Sequence, residues 1–155
     1  MSVPNTLDRI ATILEGITGI TSVYAGRPHD VPPANTPAFI VFTDAATAET
    51  DEGRGMDDSY FVVRVYRLIL VVAPWVTGTE LASEGLCRPF FDRVETAFVD
   101  RPMLELTPGN SPLTPVVRCR YLQDSGVINI TVAGKNFAGV EFRIEVVEIH
   151  QRTYS

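Results

Sequence analysis

The chain has 155 residues, a net charge of −6 and 45% hydrophobic residues. This length fits one ordinary domain, and the composition is that of a folded globular protein, which argues against a disordered or membrane-embedded chain. The acidic excess argues against a protein that binds nucleic acid by neutralising phosphates over its surface. The N-terminus shows no pattern of a secretory signal, so we expect the chain to reside in a cytosol.

The N-terminal part of the chain predicts one helix and two strands. Apolar residues recur at helical spacing over residues 5–17, and Asn5 or Thr6 is placed to cap this helix. A short strand over 21–25 leads into a loop with four prolines, residues 26–37, which favours an extended path over the surface. Residues 38–43 then form a strand that is apolar on both faces.

The longest apolar stretch is the segment 59–73, SYFVVRVYRLILVVA, interrupted only by Arg64 and Arg67. On an extended strand these two arginines lie on opposite faces, each among apolar neighbours, so neither face is a typical solvent face. A straight strand of this length reaches about 50 Å, whereas a compact chain of this size is about 40 Å across. We therefore expect an antiparallel hairpin with 38–43 and a strand whose apolar surface partly needs a partner molecule.

The connection of this hairpin, residues 44–58, holds almost the whole net charge of the chain. We call it the acidic arm. Two interpretations remain open: a solvated flexible loop, or an arm that orders against a neighbouring subunit or projects into a channel. Its single base is Arg54, and its acids are Asp44, Glu49, Asp51, Glu52, Asp57 and Asp58.

The C-terminal half predicts a helix over 79–98 that contains Pro89, followed by strands. Strands are expected over 116–123 and 127–133, joined by a turn at Asp124-Ser125-Gly126, with a last strand from 138. The polar alternation of this last strand reverses after Val146, which indicates a bulge or a change of the buried side. Because an end that changes sides is a plausible subunit contact, Val147 and Ile149 become interface candidates.

Together these elements predict an α+β fold that forms a single domain over residues 1–155. The expected architecture is a mostly antiparallel sheet with a long helix packed on one face, a short N-terminal helix and the acidic arm as a hairpin extension.

Residues that carry chemistry are scarce. The two histidines, His29 and His150, and the two cysteines, Cys87 and Cys119, show no spacing of a catalytic or zinc site. We therefore expect no catalytic residue, no metal and no cofactor, and two reduced, packed thiols. One enzyme alternative remains open, a thioesterase-like α+β domain with Glu80 or Glu84 as the acid near the start of the helix over 79–98.

The order of elements resembles the tail terminator, or tail completion, proteins that join heads to tails in tailed bacteriophages. The most specific part is the motif Asp124-Ser125-Gly126 followed by a strand, a glycine-bearing turn and the alternating segment GKNFAGVEFRIEV over 134–146. The resemblance implies a subunit of a ring, typically of six, that caps the tail tube, ends its polymerisation and joins it to the head connector. A head-closure or adaptor protein of the same neck is the alternative.

The resemblance also implies partners and a location. The partners are further copies of the chain, the tail tube protein and the head-to-tail connector or adaptor, with DNA passing through the lumen without specific binding and no membrane. The location is the tail or neck of the virion, after residence in the host cytoplasm. The interface candidates are Asp51, Glu52, Arg54, Asp57 and Asp58 of the acidic arm, Arg64 and Arg67 of the long strand, and Val147 and Ile149.

Overall fold

The computed structural model describes residues 2–50, 59–78, 80–114 and 116–151. Over these ranges the chain forms two α-helices, one 3₁₀ helix (Pro33–Asn35) and five strands in one mixed, mostly antiparallel sheet, which confirms the predicted α+β class. In chain order the elements are α1 (Ser2–Glu15), β1 (Ser22–Ala25), β2 (Ala38–Thr50), β3 (Ser59–Pro74), α2 (Glu80–Val99), β4 (Val116–Val132) and β5 (Lys135–Gln151).

The sheet is built around β3, which lies between β2 and β5 in the strand order β1-β2-β3-β5-β4. Both neighbours are antiparallel to β3, and only the short β1 is parallel to its neighbour β2. The predicted hairpin is confirmed, since Phe39 pairs with Leu70 and Val41 with Leu68. Both edges of β3 are therefore hydrogen-bonded to neighbouring strands.

The two helices cover one face of the sheet, and the main core lies between the helices and that face. Side chains of both helices pack with the even-numbered residues of β3 and β5, as the strand period of two requires. The buried set comprises Ile10, Ile13, Leu14 and Ile17 of α1, Cys87, Phe90, Val94, Ala97 and Phe98 of α2, and Tyr66, Leu68, Leu70, Val140, Phe142, Ile144 and Val146 of the sheet, among others.

The opposite face, which we call the helix-free face, carries no α-helix of the described chain. The proline-rich loop 26–37 crosses one end of it, where Val31 is buried in a second cluster with Ile40, Ile69 and Val71. An ion pair between Lys135 Nζ and Asp30 Oδ1, 2.8 Å apart, links this loop to the turn between β4 and β5. The rest of the helix-free face has no such cover.

The predicted hairpin connection begins too early in the sequence. Residues 44–50 belong to β2, which pairs with β3 as far as the pair of Thr50 and Tyr60. A register shift between Thr43 and Ala46 allows the ladder to continue, because a bulge absorbs an irregular stretch without ending the pairing. Residues 51–58 of the acidic arm lie outside the described residues.

The predicted turn at Asp124-Ser125-Gly126 is wrong. These residues form an irregular position inside the single strand β4, which shifts register against β5 between Asp124 and Val127. Gly126 has a φ of 71°, a value that glycine adopts without strain, and its N–H donates to Asp124 Oδ1 at 2.9 Å. The backbone N–H of Glu141 donates to Ser125 Oγ at 2.9 Å. Local side chains therefore satisfy the backbone here and let the strand continue.

The polarity change at the end of β5 reflects a buried polar contact. Of the two alternatives for this end, the bulge near Val146 is wrong, because β5 stays in register with β3 from Gly139 to Gln151. The buried side does not change either: Val147, on the helix-free face, is also buried, at 8% exposed. Glu148 lies on the helix-covered side and is only 4% exposed. The hydroxyl of Thr6 donates to Glu148 Oε1 at 2.6 Å, and His150 Nε2 lies 3.0 Å from Oε2. Thr6 is thus inside α1 and does not cap it.

Replacing Gly139 by alanine should destabilise the protein by about 1 to 3 kcal/mol or more, as overpacking of a filled site does. A Cβ at this position would overlap the backbone carbonyl oxygen of Leu70 and lie 2.9 Å from Ile130 Cδ1. Urea denaturation measures the change. The control is Gly85→Ala in α2, where a Cβ meets nothing within 4 Å, so this variant should be stabilised by about 0.5 to 1 kcal/mol. Equal stability of the two variants would contradict the close approach.

Replacing Thr6 by valine should lower the free energy of unfolding by about 1.5 to 3 kcal/mol, the range for a hydrogen bond to a charged group. The variant keeps the side-chain shape but leaves Glu148 with one partner fewer. Thr12→Val is the matched control, because the Thr12 hydroxyl is exposed and bonds only the carbonyl of Asp8 in its own helix. A loss for Thr6→Val no larger than that of the control would show that this contact adds little.

Candidate interaction surface

The structure separates the predicted interface residues into three groups. Arg67, Val147 and Ile149 lie on the helix-free face. Arg64 pairs across the ladder with Val146 and therefore lies on the opposite, helix-covered side of the sheet. The candidates of the acidic arm, Asp51, Glu52, Arg54, Asp57 and Asp58, lie outside the described residues.

Apolar side chains occupy the far end of the helix-free face, and we call this area the distal patch. It is formed by cross-strand pairs of β3 and β5, Phe61 with Ile149 and Val63 with Val147, and by Val65. The three β3 side chains are half-buried, and Ile149 is 38% exposed. Sheets with a solvated face normally alternate apolar and polar residues, with the polar side outward. The distal patch breaks that rule on the side that has no helix.

A band of charged residues crosses the middle of the helix-free face. Glu141 binds two arginines: Arg67 forms a close ion pair with Oε1, and Arg143 Nε lies 3.0 Å from Oε2. Arg143 also approaches Asp44 Oδ2 of β2 at 4.0 Å. Burial alone would raise the pKa of Glu141, but hydrogen bonds from Arg67 and Arg143 outweigh it and hold the pKa below its usual value. The carboxylate is therefore ionised and committed to these arginines.

A second cluster extends the band to the sheet edge at β4. Arg118 and Arg120 lie 3.5 Å and 3.2 Å from the same oxygen of Glu145, and both side chains are 57% exposed. With Arg27, described next, and the Lys135–Asp30 pair, six basic side chains face four carboxylates on the described part of this face. A protein with a net charge of −6 thus carries a locally positive face, so the remaining surface is more acidic than the average.

A half-open cavity of about 400 Å³ lies at the end of the band, between the loop after β1 and the last residues of β4. Its floor is apolar and includes Ile40, Ile69 and Ile130. The ring of Phe42 forms part of the wall, with the guanidinium carbons of Arg27 and Arg67 at 5.2 Å and 4.8 Å from its centroid. Such cation–π contacts hold a guanidinium in place while its N–H groups stay free to bind.

Two arginines that border a second groove bind backbone carbonyls. A groove of about 370 Å³ between α1 and α2 is bordered by Arg93 and Arg101, which donate to the backbone carbonyls of Thr18 and Ala97 at 2.9 Å and 3.0 Å.

Both cysteines are buried and free. Burial raises the pKa of Cys87 to about 11 and, together with the charge of Glu105, that of Cys119 to about 12, so both thiols are protonated at neutral pH.

The thioesterase-like alternative receives no site from the geometry. Glu84 is exposed on α2 and lies 3.4 Å from Arg88 of the same helix, and it borders neither of the two cavities. Nothing is described for the side chain of Glu80. Among the described residues no group of three or more histidine, cysteine or acidic side chains is placed to hold a metal ion.

No protein-family model matches the chain, and no curated protein matches it significantly. Over the ranges that the structure describes, neither helix is both long and apolar enough to cross a membrane.

The sequence indicated part of this surface. The alternation along the long strand predicted opposite faces for Arg64 and Arg67. Nothing in the local sequence indicated that Arg27, in a proline-rich loop, reaches the ring of Phe42, because this contact depends on the path of the loop over the sheet. The binding of both Arg67 and Arg143 by Glu141 likewise depends on the pairing of β3 with β5.

The Glu141 cluster predicts a pH dependence of stability. Because its pKa is lowered in the folded state, Glu141 contributes stability above the ordinary carboxyl pKa of about 4.5, and this contribution is lost as the pH falls through the folded value. Glu141→Gln should therefore be less stable than the wild type at pH 7, and the difference should shrink below about pH 4.5. Urea denaturation at pH 7, 5, 4 and 3 measures it.

The double variant Arg67→Met Glu141→Gln is the control for this experiment. It removes both charges of one pair and should restore part of the stability lost at pH 7, because an unpaired Arg67 is no longer left beside an amide. A gap between Glu141→Gln and the wild type that is constant from pH 7 to pH 3 would contradict a lowered pKa.

Proposed function

We propose that this protein is a structural subunit of a tailed bacteriophage, of the tail terminator or tail completion type. In this proposal copies of the chain form a ring that caps the tail tube, ends its polymerisation and joins it to the head connector. The proposed subunit has a long helix packed on one face of the sheet and a short N-terminal helix, and uses the other face for assembly. The resemblance of the element order, stated above, is the reason for naming this class.

The observation that carries the proposal is the helix-free face. It combines the distal patch with a positive band in an acidic protein, and it lies on the strand that organises the sheet. Apolar area of this kind is stabilised by burial at about 25 cal/mol per Å². Arginine-rich borders around an apolar centre are also typical of protein interfaces. An enzyme would need convergent catalytic groups, which the described part of this face does not present.

The sign of the charge favours a ring over a two-fold dimer. Two copies that met through their helix-free faces would bring positive bands together, and like charges repel at close range. The same band is attracted to the more acidic remainder of a second copy. Contacts between two different surfaces of the same chain are heterologous, and they close into rings when the rotation permits. An acidic lumen would then let DNA pass without binding.

A head-closure or adaptor protein of the neck is the second candidate. It would use the same self-association, and its position in the particle distinguishes it. Labelling the chain in purified virions and locating it by electron microscopy assigns it to the tube end or to the connector. Self-association and capping of tubes are tested on the isolated protein.

Replacing Ile149 by aspartate should abolish assembly while the fold is retained, because the side chain is partly exposed on the distal patch and a charge there cannot be buried against a neighbour. Native mass spectrometry and negative-stain images, with and without tail tube protein, give the oligomeric state and the capping of tubes. Circular dichroism and urea denaturation check the fold.

Leu106→Asp is the matched control for this experiment. Leu106 is 43% exposed, comparable with Ile149, but lies in the loop between α2 and β4. It should assemble as the wild type does. A wild-type protein that stays monomeric and never caps tubes would overturn the proposal, and rings formed by Ile149→Asp would remove the distal patch from it.

A further inference from the structure

The cavity on the helix-free face holds a cation that has no acidic partner among the described residues. Arg67 and Arg143 both bind Glu141, and Arg118 and Arg120 share Glu145. Arg27 is exposed, rests on Phe42, and has no described carboxylate within ion-pair distance. An arginine held on an aromatic ring above an apolar floor is suited to bind a carboxylate, because its N–H fork is oriented and only weakly hydrated.

The richest source of carboxylates in the chain is the part of the acidic arm between β2 and β3. Residues 51–58 contain four acids and one base in eight positions. Their charge is complementary to the helix-free face, whose described part carries six basic side chains and four carboxylates. This stretch also includes Met56 between its two acidic pairs, which is an apolar side chain of adaptable shape.

Covalent geometry prevents this stretch from reaching the cavity of its own chain. The ends of the stretch are attached at Thr50 and Ser59, where β2 and β3 end. Thr50 is eight residues from Phe42 along β2, a distance of about 26 Å at 3.3 Å per residue. A segment of eight residues that must return to its start extends at most about 16 Å from it. The cavity therefore lies beyond the reach of the backbone of this stretch within one molecule.

We propose that the cavity beside Arg27 receives the acidic residues 51–58 of a second copy of this chain. The carboxylates bind Arg27, and an apolar side chain of the same stretch occupies the floor formed by Ile40, Ile69 and Ile130. The contact joins two different parts of the molecule, so it is heterologous and repeats from one copy to the next. The inference rests on the self-association in the proposed function and names the surfaces that carry it.

In this arrangement the helix-free face makes two contacts, one through the distal patch and one through the Arg27 cavity. The distal patch supplies apolar area, which sets most of the affinity, and the Arg27 cavity supplies a charged contact, which favours one orientation of the neighbour. Because the contact at Arg27 is exposed and charged, its affinity should fall as the ionic strength rises. At 0.15 M salt, dissolved ions screen the attraction between charges over a Debye length of about 8 Å.

A peptide tests the cavity separately from assembly. The probe is a fluorescently labelled peptide of residues 49–58, ETDEGRGMDD, titrated with full-length protein and followed by fluorescence anisotropy. We expect binding that weakens at least tenfold in Arg27→Ala and disappears when the acids of the peptide are replaced by their amides. Arg88→Ala is the control, since this exposed arginine lies on α2, on the other side of the sheet, and does not border the cavity. Its binding should stay within twofold of the wild type. Absent binding, or equal binding by Arg27→Ala, overturns the inference.

Complementary charge reversal tests the contact in the whole protein. Arg27→Glu alone and the pair Asp57→Arg Asp58→Arg alone should each lose assembly, because each brings like charges together. An equimolar mixture of these two variants should recover assembly by alternating around a closed oligomer, as seen by native mass spectrometry. Rings formed by Arg27→Glu alone would overturn this inference and leave the proposed function standing. Peptide binding that depends on Arg27, without rings of the wild type under any condition, would support the cavity contact and overturn the proposed function.

Discussion

The unequal cover of β3 is the constraint on which the rest of this structure depends. The strand is hydrogen-bonded on both edges and apolar on both faces, but the two helices can cover only one of them. On that side the core is filled in the usual way, with aromatic and aliphatic side chains from every layer. On the other side a short proline-rich loop covers one end and leaves the distal patch and the charged band. The helix-free face is therefore left uncovered because the two helices lie on the other side, and a second molecule is the cover that we propose.

The charged band places hydrated groups beside the apolar side chains of this face. Ion pairs that are partly exposed contribute little to stability, since solvent screens them and the side chains lose entropy. Their larger effect is on which surfaces can approach, because a positive face repels its own copy and attracts an acidic one. The acidic excess of the chain and the local positive excess of this face are thus two parts of one charge distribution. This asymmetry is more informative about assembly than any single contact in the band.

Where sequence reasoning failed, local patterns competed with the sheet ladder. Asp124-Ser125-Gly126 has the composition of a turn, yet β5 continues alongside it, and the pairing absorbs the glycine as an irregular position in β4. Residues 44–50 are too polar to indicate a strand, yet β3 offers them a partner edge. Glu148 looked like the start of an outward face and is instead buried against Thr6 from the other end of the chain. In each case the deciding partner is distant in sequence, which is where a local pattern carries no information.

The sequence by itself determined the α+β class, the hairpin of β2 with β3, the opposite faces of Arg64 and Arg67, and the concentration of acids after β2. These features follow from periods of two and 3.6 residues and from composition, which are local properties. Only the tertiary structure decided which face of β3 the helices cover, that Glu141 joins two arginines, and that Arg27 rests on Phe42 beside a cavity. These depend on strand order and on the path of a loop across the sheet, which are set by packing between segments far apart in the chain.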